Sequence, residues 1–197
     1  GVTTVKIPVD GIELSGELVV PPAAAGVVLF AHGSGSSRFS PRNTYVAKVL
    51  QQQGIGTLLF DLLTRAEDQD YAQRFDIDLL TQRLLAATAW LQANPATKPL
   101  QISYFGASTG AAAALQAAAG MQDAVTAVVS RGGRPDPAGE SALNRVTAPV
   151  LLIVGGAVQL VGASLYWDHF LRIATTVRDA LGGTLWSPDY LPHVYFV

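Results

Sequence analysis

Gly106-Ala107-Ser108-Thr109-Gly110 sets a serine midway between two glycines near the middle of the chain. This G-x-S-x-G spacing suits a strained turn between a strand and a helix, where the serine hydroxyl stands clear of the backbone. The glycines are a mechanical requirement, because side chains two residues before or after the serine would collide across so sharp a bend. Ala107, Thr109 and the alanines after Gly110 keep the neighbourhood small as well. The chemistry available to such a serine is acyl transfer: its oxygen attacks a carbonyl carbon once a base has taken its proton. In a chain with 19 glycines the bare pattern arises easily by chance, so its setting carries the weight.

A second short stretch, His32-Gly33-Ser34-Gly35, follows an apolar run. A tetrahedral intermediate needs two preorganised donors for its oxyanion: the backbone amide after the nucleophile, and one from an earlier loop. Thr109 and Ser34 are assigned these places. His32 reads as a brace for the loop through a hydrogen bond, rather than as a base. A phosphate-cradling loop is the rival reading, and it fits poorly. Neither G-x-x-x-x-G-K-[ST] nor G-x-G-x-x-G follows a candidate strand, and the loop has no lysine. Arg38 and Arg42 suit an anionic substrate group or surface ion pairs equally well.

The chain has three histidines. In serine sites of this strand-turn-helix kind the order along the chain is serine, acid, histidine, so the base lies beyond Ser108, at His169 or His193. His193 is preferred, since it follows the last predicted strand, whereas His169 lies in a predicted helix and reads as a helix-surface residue.

The elements that must hold these residues are legible in hydrophobic periodicity. Val2–Pro8 and Ile12–Val20 alternate apolar and polar residues around Asp10-Gly11, which predicts an antiparallel hairpin. Val27–Ala31 is a continuous apolar run suited to a strand buried on both faces. Ser40-Pro41 starts a helix with a capping hydroxyl and a proline at the first helical position. Thr57–Phe60 reads as the next strand, residues 64–75 as a polar surface excursion, and Ile77–Ala93 as the most regular helix, closed by Asn94-Pro95. Leu100–Phe105 is strand-like and Ala111–Ala119 strongly helical, so strand, turn and helix meet at Ser108. Ala124–Val129 and Val150–Val154 are two more strands with a short polar helical segment between them. Ser164–Leu181 is expected to be helical and Thr184–Ser187 to form a last strand. Strands alternating with helices indicate an α/β fold with a mostly parallel, doubly wound sheet. No internal repeat is visible.

Composition narrows the function classes. The 197 residues allow one domain with a substantial core, and 49% hydrophobic against 14% charged residues suits a large buried sheet. Thirteen basic and fifteen acidic residues leave a net charge of −2, without the basic stripe that nucleic acid requires. With no cysteine there are no disulfides, thiolate metal sites or Cys nucleophile, which is compatible with a cytoplasmic setting. Every apolar run is interrupted well short of the roughly 20 residues of a membrane span, and the first residues do not read as a signal peptide.

Residues 2 to about 157 resemble a dienelactone-hydrolase-like branch of the α/β hydrolases. The likeness lies in Phe30-Ala31-His32-Gly33-Ser34-Gly35-Ser36-Ser37-Arg38, Tyr104-Phe105-Gly106-Ala107-Ser108-Thr109-Gly110 and Ser130-Arg131-Gly132-Gly133-Arg134-Pro135-Asp136. It implies an α/β-hydrolase fold with an N-terminal antiparallel hairpin, here with an atypical or truncated C-terminal part. This branch often follows a phosphoribosyltransferase domain, which implies a single hydrolase domain excised from a longer chain that begins before Gly1. The family's acid stands after the strand represented by Val150–Val154, in Gly-Gly-Ala-Asp, whereas this chain has Gly155-Gly156-Ala157-Val158. Asp136, in the loop after the preceding strand, is then the best substitute, Asp189 the second, and Asp61 a structural acceptor at a strand end. The implied activity is a serine esterase acting on small short-acyl esters through an acyl-enzyme. It would use Ser108, His193 and Asp136, with no metal or organic cofactor. The alternative is a catalytically impaired hydrolase-fold domain with an interaction or regulatory role beside the transferase. Val194, Tyr195 and Phe196, near a chain end with little room for a covering helix, predict a homo-oligomer.

Overall fold

Asp10 and Gly11 both adopt positive φ, 48° and 79°, and this tight turn joins β1 (Val2–Val9) to β2 (Ile12–Val19) in the antiparallel register Val9↔Ile12 to Val2↔Val19. The computed structural model describes residues 1–133, 135–154, 157–161, 172, 173 and 176. From the hairpin onward the chain alternates strand and helix as the apolar runs predict. β3 (Gly26–Ala31) and β4 (Gly56–Phe60) are buried along their whole length, as a strand covered on both faces must be. β5 (Gln101–Ala107), β6 (Val125–Arg131) and β7 (Val150–Val154) continue the parallel sheet. Among the described residues the sheet runs β1-β2-β4-β3-β5-β6-β7-β8, with β8 (Ala157–Val161) antiparallel to β7.

Helices cover both faces. α1 (Pro41–Gln52) begins where Ser40 accepts from the Asn43 amide and Pro41 takes the first position, and it lays Val46, Ala47 and Leu50 against Val28, Phe30 and Phe105. The short α2 (Tyr71–Arg74) precedes α3 (Ile77–Ala93), whose cap is Asp76 accepting from the Leu79 amide at 3.0 Å. Leu80, Leu84, Ala87 and Leu91 of α3 face the opposite side of the sheet together with the alanines of α4 (Thr109–Met121). Nine of the thirteen residues of α4 are buried, so its alanine-rich sequence is that of a helix enclosed between sheet and α3. α5 (Glu140–Leu143) is the short helical segment expected before β7.

The excursion at residues 64–75 is more tightly held than its polarity suggests. Thr64 and Glu67 cap each other, and both Glu67 oxygens accept from the buried Arg83 guanidinium of α3 at 2.9 and 2.8 Å. The Arg83 bonds, first among its causes, hold the Glu67 carboxyl below the usual carboxylate range. The helix expected over Ser164–Leu181 lies outside the described residues except at Arg172, Ile173 and Thr176, which are helical. The strand expected over Thr184–Ser187 and the apolar Val194–Phe196 lie outside them entirely. Among the described residues no helix is long and apolar enough to cross a membrane.

Candidate active site

Ser108 follows the last residue of β5 and precedes the first of α4, with φ 52° and ψ −120°. A non-glycine residue held at such angles stores about 1–3 kcal/mol of strain, and the surroundings must over-determine it. They do so from both sides. The Ser108 amide donates to Arg131 O at 3.1 Å, and Ser108 O accepts from the Ala111 amide at 2.9 Å. A Cβ on Gly106 would stand 2.5 Å from Gly110 O and Ala111 Cα, and one on Gly110 would strike Ala31 O and His32 O. Both motif glycines are therefore required by contact with backbone. The Ser108 side chain is exposed, and no described residue hydrogen-bonds its hydroxyl.

The loop after β3 lies directly against this turn. A Cβ on Gly33 would meet Ser108 Cβ and Ala107 O at 3.2 Å each, a tight fit that a side chain would relieve only by pushing the two segments slightly apart. The Ser34 amide donates to Thr109 Oγ1 at 2.9 Å. The two residues assigned to the oxyanion are thus brought together, but the Ser34 N–H is engaged by a side chain. His32 braces the loop from beneath: its Nε2 accepts from the Leu62 amide at 3.0 Å, and its Nδ1 lies 2.9 Å from Gly33 O. An amide can only donate and a carbonyl only accept, so the ring is neutral with its proton on Nδ1. Burial, the largest cause, pushes its pKa down.

On the far side of Ser108 the β6 end supplies Gly132, at φ 63°, and Gly133, where a Cβ would stand 2.5 Å from Ala111 Cβ and 2.9 Å from Ser108 O. Sequence reasoning gave Gly133 no task of its own. The signal was present in the Gly-Gly pair at a strand end, which marks a close backbone approach. Gly132, Gly133, Pro137, Ile77 and Thr109 line a hollow of about 200 Å³ over Ser108. Asp136 is exposed at the head of the turn Asp136–Ala138 and so belongs to the loop bordering this hollow. Asp61 is a structural acceptor, taking the Arg38 amide at 2.8 Å and pairing with the Arg38 guanidinium. That ion pair engages Arg38, whereas Arg42 is exposed. His169, Asp189 and His193 lie outside the described residues. Val158 stands in β8, paired with Ile153, where the resemblance places an acid. Among the described residues no three His, Cys, Asp or Glu side chains gather as a metal site would require.

The profile of the Dienelactone hydrolase family matches residues 14–172, some fifteen residues beyond the point where the visible likeness fades. The chain belongs to that family. A dienelactone hydrolase from Anabaena variabilis shares 48% identity at a TM-score of 0.75, covering 100% of this chain and 82% of its own. An esterase from Pyrococcus furiosus, at 18% identity and a TM-score of 0.62, covers 91% of this chain and 78% of its own, and shares the fold alone. A protein from Mycobacterium tuberculosis named a putative phosphoribosyl transferase is 56% identical over 157 residues, which are 80% of this chain and 35% of that protein. The chain thus spans about a third of the length of that relative. Family membership and the Anabaena structure give it the α/β-hydrolase fold.

Proposed function

We propose that this member of the dienelactone hydrolase family is a serine carboxylesterase acting on small, short-acyl esters through an acyl-enzyme. The observation that carries the reading is the backbone of Ser108, strained at φ 52° and ψ −120° with its side chain exposed at the C-terminal end of the interior strand β5. Strain of this kind persists only where neighbouring structure enforces it, and it presents the hydroxyl for attack on a carbonyl carbon. Ser108 adds to the ester carbonyl, His193 takes its proton and returns it to the leaving alcohol, and Asp136 orients His193. Water then repeats the sequence to release the acid. Esters of p-nitrophenol with acetate and butyrate, together with a fluorophosphonate probe, test this. Wild type should turn over and be labelled at Ser108, and Ser108→Ala should lose both, with turnover lower by about 10³-fold or more. Equal inertness of the two proteins would sink the reading.

A second reading is favoured by Val158. Lying in an antiparallel strand where the family's acid is expected, it suits a hydrolase-fold domain that has lost efficient catalysis. Such a domain would serve an interaction role beside a fused phosphoribosyltransferase domain, in keeping with the name and greater length of the mycobacterial relative. Absence of labelling in a folded wild type would support it.

A further inference from the structure

Thr109 is the residue after the nucleophile, and the usual reason for interest in that position is its backbone amide. In this protein its side chain is engaged there as well. The Ser34 N–H, the donor expected from the β3–α1 loop, points 2.9 Å away at Thr109 Oγ1. An amide has one hydrogen, so while this bond stands the loop contributes no free N–H at Ser34 to an oxyanion. The Thr109 oxygen accepts there, which leaves its own hydrogen directed elsewhere, and no described residue accepts it. Thr109 is partly exposed and lines the same hollow as Ser108. A hydroxyl that accepts from an amide is also polarised into a stronger donor.

We propose that the Thr109 hydroxyl is itself an oxyanion donor, with the Ser34 amide holding and polarising it. Thr109 would then be a catalytic residue through its side chain as well as its backbone. This inference rests on reading Ser108 as the acyl-transfer nucleophile. As the Ser108 Oγ–carbon bond forms, the carbonyl π pair moves onto oxygen and the Ser108 proton goes to the base. Thr109 Oγ1–H donates a hydrogen bond to that oxygen without giving up its proton, and the bond weakens when the pair returns and the alcohol leaves with the base's proton. The arrangement also fixes the donor from two sides of the chain, since Ser34 and Thr109 are 75 residues apart.

The test is p-nitrophenyl acetate kinetics on wild type, Thr109→Val, Thr109→Ala and Thr109→Ser, each first shown by thermal melting to be folded. A bond made only in the transition state is lost from kcat and not from KM. Val and Ala should lower kcat by about 10²-fold at nearly constant KM, the usual cost of one oxyanion donor, and Ser should keep most of the activity. Should Val fail to fold, the smaller Ala variant decides. A kcat equal to or above wild type in Val or Ala overturns the proposal, because the freed Ser34 amide would then be the working donor and the hydroxyl a plug. A rise in KM with kcat retained overturns it too, showing that the Ser34 bond only steadies the loop. A wild type as inert as Ser108→Ala overturns the esterase reading and this inference together, whereas an active wild type with unimpaired Val and Ala variants overturns this inference alone.

Discussion

His32 serves two partners that constrain its protonation in one direction. Its Nε2 accepts from the Leu62 amide and its Nδ1–H donates to Gly33 O, so a second proton would set two hydrogens facing each other at Leu62. With burial as the main cause, its folded pKa lies below the ordinary 6.5. The unfolded chain therefore takes up a proton near pH 6.5 that the folded chain refuses until lower pH. Stability is lost as pH falls from 6.5 towards the folded pKa, by up to about 1.4 kcal/mol per pH unit, and the loss levels off beneath it. Urea midpoints at about pH 7.5 and about pH 5.5 should fall more steeply in wild type than in His32→Gln, which keeps an acceptor but cannot titrate. Parallel slopes would show that His32 protonates as readily folded as unfolded. The brace itself was legible in the sequence, because a histidine opening a glycine-rich loop needs partners. The engagement of Ser34 by Thr109 was not: a motif locates backbone amides, and says nothing of a hydroxyl supplied from 75 residues away.

The elements were legible where local pattern and tertiary demand agree. Asp10-Gly11, Ser40-Pro41 and the apolar runs at Val27 and Thr57 each carry turn, cap or burial signals within a few residues, and each forms the expected element within a residue or two. Legibility failed where an element depends on a distant partner. The turn Glu67–Gln69 is tied down by Arg83, and β8 exists by pairing with β7, so neither could be read from its own residues. Helix α4 shows both kinds of dependence in two of its glycines. Gly110 abuts the carbonyls of Ala31 and His32, whereas nothing lies within 4 Å of a Cβ on the exposed Gly120, whose φ is not positive. Gly110→Ala should cost about 3 kcal/mol or more, since a backbone carbonyl cannot rotate aside. Gly120→Ala should gain about 0.5–1 kcal/mol from helix propensity. Thermal melting of the two variants checks both, and similar melting temperatures would show that the turn at Ser108 can relax its approach to β3.

Across the molecule, the sheet order grades the strands by how many neighbours each backbone has. β3 is flanked by β4 and β5, and β5 by β3 and β6. α1 covers one face of them and α3 with α4 the other, so their amides are remote from water on every side. Among the described residues β1 pairs only with β2, and Val2, Thr3 and Thr4 are exposed. Ser108, the proposed nucleophile, stands at the end of β5, one of these enclosed strands, so the strain there rests on the interior of the sheet. Amide exchange should report that gradient. The amides of Val28, Phe30, Tyr104 and Val128 should exchange only through global unfolding, and those of β1 that point away from β2 should exchange through local opening, at free energies several kcal/mol lower. Hydrogen–deuterium exchange read by NMR measures both sets in one sample. β1 amides as slow as those of β5 would mean that the edge is covered, and slowing that grows with protein concentration would identify the cover as a second copy of the chain. If exchange at β5 were instead fast beside a slow β1, the strained turn would be loosening its own strand. The rigid support on which the Ser108 reading depends would then be absent.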